Sequence, residues 1–175
     1  MTGTRFAAAI FDEPPVMLMI RAAQTVTLAE RFERDVLPHL TRVYRGALCL
    51  TGDPEAAEDL VAEAFARAYR AFPRRRTGLR LEAWLFRILV SAHRERRGAG
   101  RPAACRATGG QPPVRRALRE LPEDLRFAVY LAAVNGFSYR EIAQVTGTST
   151  ETVAARIRAA RGALRCRLSV DQERP

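Results

Sequence analysis

Three groups of side chains in this chain have the types and spacing to do chemistry. Glu55, Asp59 and Glu63 recur every four residues, so on a helix they form one acidic stripe. Each like-charge step costs such a helix about 0.2–0.5 kcal/mol. Glu55 is compensated by the helix N-terminus, and Arg67, four residues after Glu63, offsets one further carboxylate. Both a docking face for a protein partner and a plain solvated face answer to this pattern. The second group, Arg80, Trp84, Arg87, Ser91 and Arg94, shares one side of a later helix. Arginines beside an aromatic follow a phosphate backbone while bases stack or insert; a lone Trp at a bundle rim serves packing equally well. The third group lies near the C-terminus. Ser149, Thr150, Glu151 and Thr152 occupy the first turn of a helix that carries Arg156, Arg158, Arg161 and Arg165 off its apolar stripe. Such groups reach base edges or phosphates when a helix enters the DNA major groove.

Catalytic constellations are missing from this inventory. The sequence has no phosphate-cradling glycine loop, no paired Cys/His ligand set and no nucleophile–base pairing that two histidines, His39 and His93, could support. Cys49, Cys105 and Cys166 are too far apart in sequence for metal or redox spacing and read as reduced thiols. The expectation is a protein without enzymatic activity and without a cofactor.

The elements that must position these groups are helical throughout, because strand alternation is nowhere sustained. A first helix is expected from Leu28 to Leu50, ended by Thr51-Gly52. Asp53 is a good N-cap with Pro54 at the first helical position, and the helix that follows buries Leu60, Val61, Ala64, Phe65, Ala68 and Phe72. A third helix, Leu81 to Arg97, has Leu81, Leu85, Ile88, Leu89 and Ala92 as its stripe. Beyond a gap come a short helix with Leu118 and Leu121, then a helix started by Pro122 with Leu125, Val129, Ala132 and Ala133 facing inward and Gly136 as its stop. Ser138 and Glu141 form a capping-box pattern. The short helix after it ends at Gly147, and Ser149 caps a last helix with Val153, Ile157, Leu164 and Leu168 as core. Two helices joined by a three- or four-residue glycine turn have the form of a helix-turn-helix, although a plain three-helix bundle shares that form.

Charge is blocked along the chain. The 175 residues carry 29 basic side chains, all arginine, against 19 acids, a net charge of +10. Residues 29–72 hold six arginines and eight acids, whereas residues 73–112 hold ten arginines and two acids, a net +8. Residues 140–168 are again basic at +4, with six arginines and two acids. So large an excess points to a polyanionic partner. Between the blocks, Gly98 to Pro112 has no apolar periodicity and reads as a linker. The expected organisation is an N-terminal extension over 1–27, a helical domain over 28–97, a linker over 98–112, a helix-turn-helix domain over 113–168 and a tail over 169–175. No apolar run reaches the roughly 18 residues needed to span a membrane, and the N-terminus lacks a signal-peptide layout, so a cytoplasmic location is expected.

The order of these parts resembles the extracytoplasmic-function (ECF) group of RNA polymerase sigma factors. LTGDPEAAEDLVAEAFARAYRAF (Leu50–Phe72) and EAWLFRI (Glu82–Ile88) resemble sigma region 2, and the stretch from Leu118 to Arg165 resembles region 4. The resemblance implies an all-α fold of two small domains and a non-catalytic role in promoter recognition and initiation. It implies that Glu55, Glu58, Asp59, Leu60 and Glu63 dock on the clamp helices of the largest polymerase subunit. It implies that Arg80, Trp84, Arg87, Ser91 and Arg94 engage and melt the minus-ten promoter element. Ser149, Thr150, Glu151, Thr152, Arg156, Arg158 and Arg161 would read the minus-thirty-five element. Core polymerase, promoter DNA and an anti-sigma factor are the implied partners, with no membrane insertion. The chain departs from the family at Ala62, where Gln is usual, and at Ala154-Ala155, where a basic residue and Ser are usual. A stand-alone helix-turn-helix repressor or activator is the alternative reading.

Overall fold

In the computed structural model, residues 26–75, 78–98 and 113–172 are described, the side chains of 113–115 and 169–172 excepted. Most of the expected extension and linker therefore lies outside the described residues, as does the tail beyond 172, whereas residues 169–172 continue the last helix. Within them, every regular element is a helix. They run α1 (Leu28–Val36), a 3-10 turn (Leu37–His39), α2 (Leu40–Thr51), α3 (Pro54–Ala71), a second 3-10 turn (Phe72–Arg74), α4 (Leu81–Gly98), α5 (Pro113–Arg119), α6 (Glu123–Ala133), α7 (Tyr139–Thr146) and α8 (Thr150–Gln172).

The single helix expected over Leu28–Leu50 is in fact two. Pro38 lacks an N–H and its ring crowds the preceding turn, so the chain passes through the 3-10 turn at Leu37–His39 before α2 begins. The start of α1 is a full capping box: Thr27 Oγ1 accepts from Glu30 N, and Glu30 accepts from Thr27 N. Asp53 caps α3 as expected. Its Oδ1 accepts from Glu55 N at 2.9 Å and Ala56 N at 3.2 Å, and such a cap contributes about 1 kcal/mol. Helices α1 to α4 close over Phe32, Val36, Val43, Leu60, Ala64, Leu85 and Leu89, all buried. Phe32 meets Phe65, Tyr69 and Phe72 edge to face.

The second module is built by α5 to α8. The capping box at Ser138 is present, with Ser138 Oγ accepting from Glu141 N at 3.3 Å and Glu141 Oε2 accepting from Ser138 N at 2.9 Å. At Gly147 the backbone is left-handed, φ +64°, and its N–H closes on the Ala143 carbonyl. Any side chain there would be strained, so glycine sets the tight turn between α7 and α8. Ser149 Oγ accepts from Thr152 N at 3.2 Å and starts α8. Val153, Ile157 and Ala160 are buried, while Leu164 and Leu168 are only partly covered.

The inward face of α6 differs from the expected one. Phe127, Ala128 and Leu131 are buried, Leu125, Val129 and Ala132 are half-buried, and Ala133 is exposed. The reason is tertiary: α6 packs on α8 and also on α2 of the first module, and α7 packs on α4. One apolar core therefore runs through both modules. Its centre is Phe86 of α4, fully buried, with ring centroids 6.3 Å from Phe127, 6.3 Å from Tyr130 and 5.6 Å from Phe137. On the opposite side Phe86 lies against Gly46 of α2, where a Cβ would overlap the Phe86 ring. No described helix is long and apolar enough to cross a membrane.

Candidate nucleic-acid interface

Helix α3 carries charges of opposite sign at its two ends. In its first half, Glu55, Glu58 and Asp59 are exposed. Glu63 is not free in the same way. It is held by Arg67, four residues on, and by Arg96 of α4 at 2.6 Å. Burial pushes the Glu63 carboxyl up, but the hydrogen bonds and charges of Arg96 and Arg67 outweigh it and hold it below the usual carboxylate range. Leu60 was expected among the docking residues. It is 0 % exposed and belongs to the core, because its place in the apolar stripe faces the helix bundle and leaves it unavailable to a partner.

Toward its C-terminal end α3 contributes Arg67 and Arg70 to a basic surface shared with the loop after it and with α4. Arg67, Arg70, Arg74, Arg75 and Arg87 line a cavity of about 980 Å³ that also exposes Trp84. The Arg75 guanidinium lies over the Trp84 ring, 5.8 Å from its centroid, and donates to the Leu79 carbonyl at 2.8 Å. Trp84 itself is 8 % exposed. It packs in the bundle, the role the sequence reading gave a lone Trp at a bundle rim, and borders the cavity. Arg74 opens the basic run that the sequence already marked, whereas Arg70 escaped the sequence reading; its place three residues after Arg67 is the signal that would have put it on the same face of α3.

The five side chains expected on α4 are not equally available. Arg87 is exposed at the cavity. Ser91 donates to Glu95 Oε1 at 3.1 Å. Glu95 also accepts from Arg67, and these two bonds hold its carboxyl below the usual range. Arg80 pairs with Glu141 of α7 at 3.3 Å and lies over the Phe137 ring at 5.6 Å. It also stands 3.7 Å from the buried carboxylate of Glu82, which Arg42 engages at 3.1 Å. Arg94 donates to the Thr146 carbonyl at the end of α7.

On α8, Ser149, Thr150 and Glu151 sit exposed at the helix start, with Thr152 half-buried among them. Thr150 Oγ1 donates to Glu151 Oε1 at 3.2 Å. Arg158 and Arg161 are exposed. Arg156 pairs with Asp124 of α6 at 2.7 Å, so it braces the module as well as facing outward. An exposed N-terminal turn of hydroxyls followed by exposed guanidinia is the arrangement a recognition helix needs.

Comparison with known proteins agrees with this geometry. Residues 36–101 match the family model described as Sigma-70 region 2, and residues 113–164 match Sigma-70, region 4. The ECF RNA polymerase sigma factor EcfG of Rhodopseudomonas palustris is 32% identical over 160 residues, covering 82% of this chain and 88% of the relative. The ECF RNA polymerase sigma factor SigE of Mycolicibacterium smegmatis is 31% identical over 175 residues, covering 88% and 68%. Among solved structures, the sigma factor RpoE in complex with the anti-sigma factor NepR from Bartonella quintana superposes with a TM-score of 0.67 at 28% identity, over 81% of this chain and 99% of that one. CnrH in complex with the cytosolic domain of CnrY gives a TM-score of 0.63 at 26% identity, over 89% and 97%.

Proposed function

This chain belongs to the ECF group of RNA polymerase sigma factors and acts in transcription initiation; from that premise we propose how its surfaces divide the work. The exposed carboxylates Glu55, Glu58 and Asp59 dock on the clamp helices of core polymerase, and Glu63 holds that helix against α4. The arginine-lined cavity with Trp84 takes the melted minus-ten element. Unstacking a base costs a few kcal/mol, and the guanidinia offset it by holding the phosphate backbone of the melted strand. Arg87 is the side chain already open to that strand; Arg80, Ser91 and Arg94 join it. The start of α8, with Arg158 and Arg161, reads the minus-thirty-five element in the major groove, and Arg156 orients α8 through Asp124. The chain supplies recognition and no catalysis, in the cytoplasm with the polymerase. The complexes of RpoE with NepR and of CnrH with CnrY support a regulatory partner of the anti-sigma kind for this chain too. The expected domain limits, 28–97 and 113–168, serve as the working division.

The observation that carries the reading is an exposed acidic stripe at the start of α3 together with a cavity bordered by Trp84 and five arginines, two of which, Arg67 and Arg70, stand further along the same helix. A stand-alone repressor needs neither. Run-off transcription with purified core polymerase tests it: specific transcripts are expected only when this protein is added to core. Duplex binding without any polymerase-dependent transcript overturns it.

A further inference from the structure

The outward side of α8 is a line of three exposed side chains. Glu151, Ala155 and Arg158 follow one another at i, i+4 and i+7, while Val153, Ile157 and Ala160 face the core. Glu151 and Arg158 are about 10 Å apart along the helix axis, which is about three base steps of a duplex. The two ends of the line are chemically opposite. Arg158 can only donate, and Glu151, once ionised, can only accept. The other residues at the helix start, Ser149, Thr150 and Thr152, carry hydroxyls that do both and so suit any base edge. The Glu151 carboxylate is steadied by its own turn: Thr150 Oγ1 donates to its Oε1 at 3.2 Å. Its own backbone N–H and the Ser149 and Thr150 hydroxyls hold the carboxyl below the usual range, so it is ionised at neutral pH. A carboxylate has about four lone-pair sites, and these local bonds leave it room to accept from a base.

Major-groove edges differ in what they offer such a group. Guanine presents two acceptors, thymine an acceptor beside a methyl, and adenine a donor beside an acceptor; cytosine presents a donor alone. A carboxylate on the outward line of an arginine-bearing helix is also repelled by phosphates, so it weakens binding wherever no base donor offsets it. We propose that Glu151 is a specificity-determining residue of this chain: its carboxylate accepts from the N4 amino group of a cytosine in the upstream promoter element and rejects guanine and thymine at that position. This rests on the assignment of α8 to the minus-thirty-five element given above. An acid in the first turn also favours the helix itself, but that effect is the same on every DNA sequence.

The test uses the full-length chain with purified core polymerase on duplex templates whose upstream promoter region is randomised and whose transcribed region carries a barcode. Sequencing the run-off transcripts then reports which upstream sequences were selected. Wild type is expected to select cytosine at one upstream position about tenfold over guanine or thymine. Glu151→Ala is expected to lose that preference and keep the others. Glu151→Gln is expected to move it to adenine, because an amide pairs with adenine N6 and N7 together. Arg158→Ala is expected to keep the cytosine. Circular dichroism verifies the helicity of each variant. An unchanged cytosine preference in Glu151→Ala, an even loss of preference at all positions, or an equal loss of the cytosine in Arg158→Ala overturns the assignment. If Glu151→Ala fails to fold, Glu151→Gln decides alone, and retention of cytosine there overturns it. Specific transcripts without any base preference traceable to Glu151 count only against this residue, whereas the absence of specific transcripts from wild type with core counts against the sigma reading itself.

Discussion

Asp59 and Glu63 occupy equivalent places in the sequence, one helical turn apart, yet the fold gives them different work. Asp59 keeps an exposed carboxylate while Glu63 is engaged by Arg67 and Arg96. Asp59→Arg is therefore expected to leave the thermal melt unchanged and to weaken core polymerase binding about tenfold or more, since a charge set against its like across an interface is strongly unfavourable. A pull-down with purified core checks it. Glu63→Ala is expected to lower stability by about 1 kcal/mol or less, as part-exposed ion pairs do, and to show in the melt. Arg158 and Arg156 differ in the same way. Arg158→Ala is expected to cut promoter-specific initiation several-fold with core binding intact, as loss of one DNA contact does; equal losses in both assays would place Arg158 elsewhere. The acidic spacing was legible because helical periodicity alone determines it. The engagement of Glu63 by Arg96 was not, because 33 residues separate them in the chain.

At the scale of elements, the caps were the most legible feature. Ser138-x-x-Glu141 and Asp53-Pro54 form the caps their residue types require, since a cap needs only a side-chain oxygen within reach of backbone N–H groups two or three residues on. Ser138→Ala is expected to cost about 1 kcal/mol, and Gly147→Ala at least about 1 kcal/mol through its left-handed backbone. Both are measurable as shifts in a thermal melt, and both should impair promoter binding by misplacing α8. The inward face of α6 was less legible. A helix with apolar residues on more than one side has no unique phase, and the second contact surface, on α2, decided that Phe127 and Leu131 face the core.

For the whole molecule, the contact between modules sets the acid response. Burial pushes Glu123 up, but His93 and Arg97 outweigh it and hold the carboxyl below the usual range. A carboxylate so depressed adds stability above its unfolded value and loses it as the pH falls through its folded value. Glu63 and Glu141 are depressed in the same sense, Glu141 chiefly by the Ser138 backbone N–H. The modules are expected to stay joined near neutrality and to separate as the pH drops below about 4, the ordinary carboxylate range. Small-angle scattering should then show the radius of gyration rising; a constant radius down to unfolding would contradict it. Size points the same way. A module near 60 residues buries only about 60% of its unfolded surface, so a fragment of residues 113–175, stripped of the cover that α2 and α4 give Phe127 and Phe137, is expected to melt well below the intact chain.

Local rules were enough to determine the helical class, the caps, the glycine turn before α8, the acidic stripe and the blocks of arginine, because each depends on residues within one or two helical turns. The burial of Trp84, the second grip on Glu63 and the seating of Phe86 between Gly46 and three aromatics were decided only in three dimensions. Each of these joins residues remote in the chain, and no periodicity within one helix carries information about which neighbour will cover its other side.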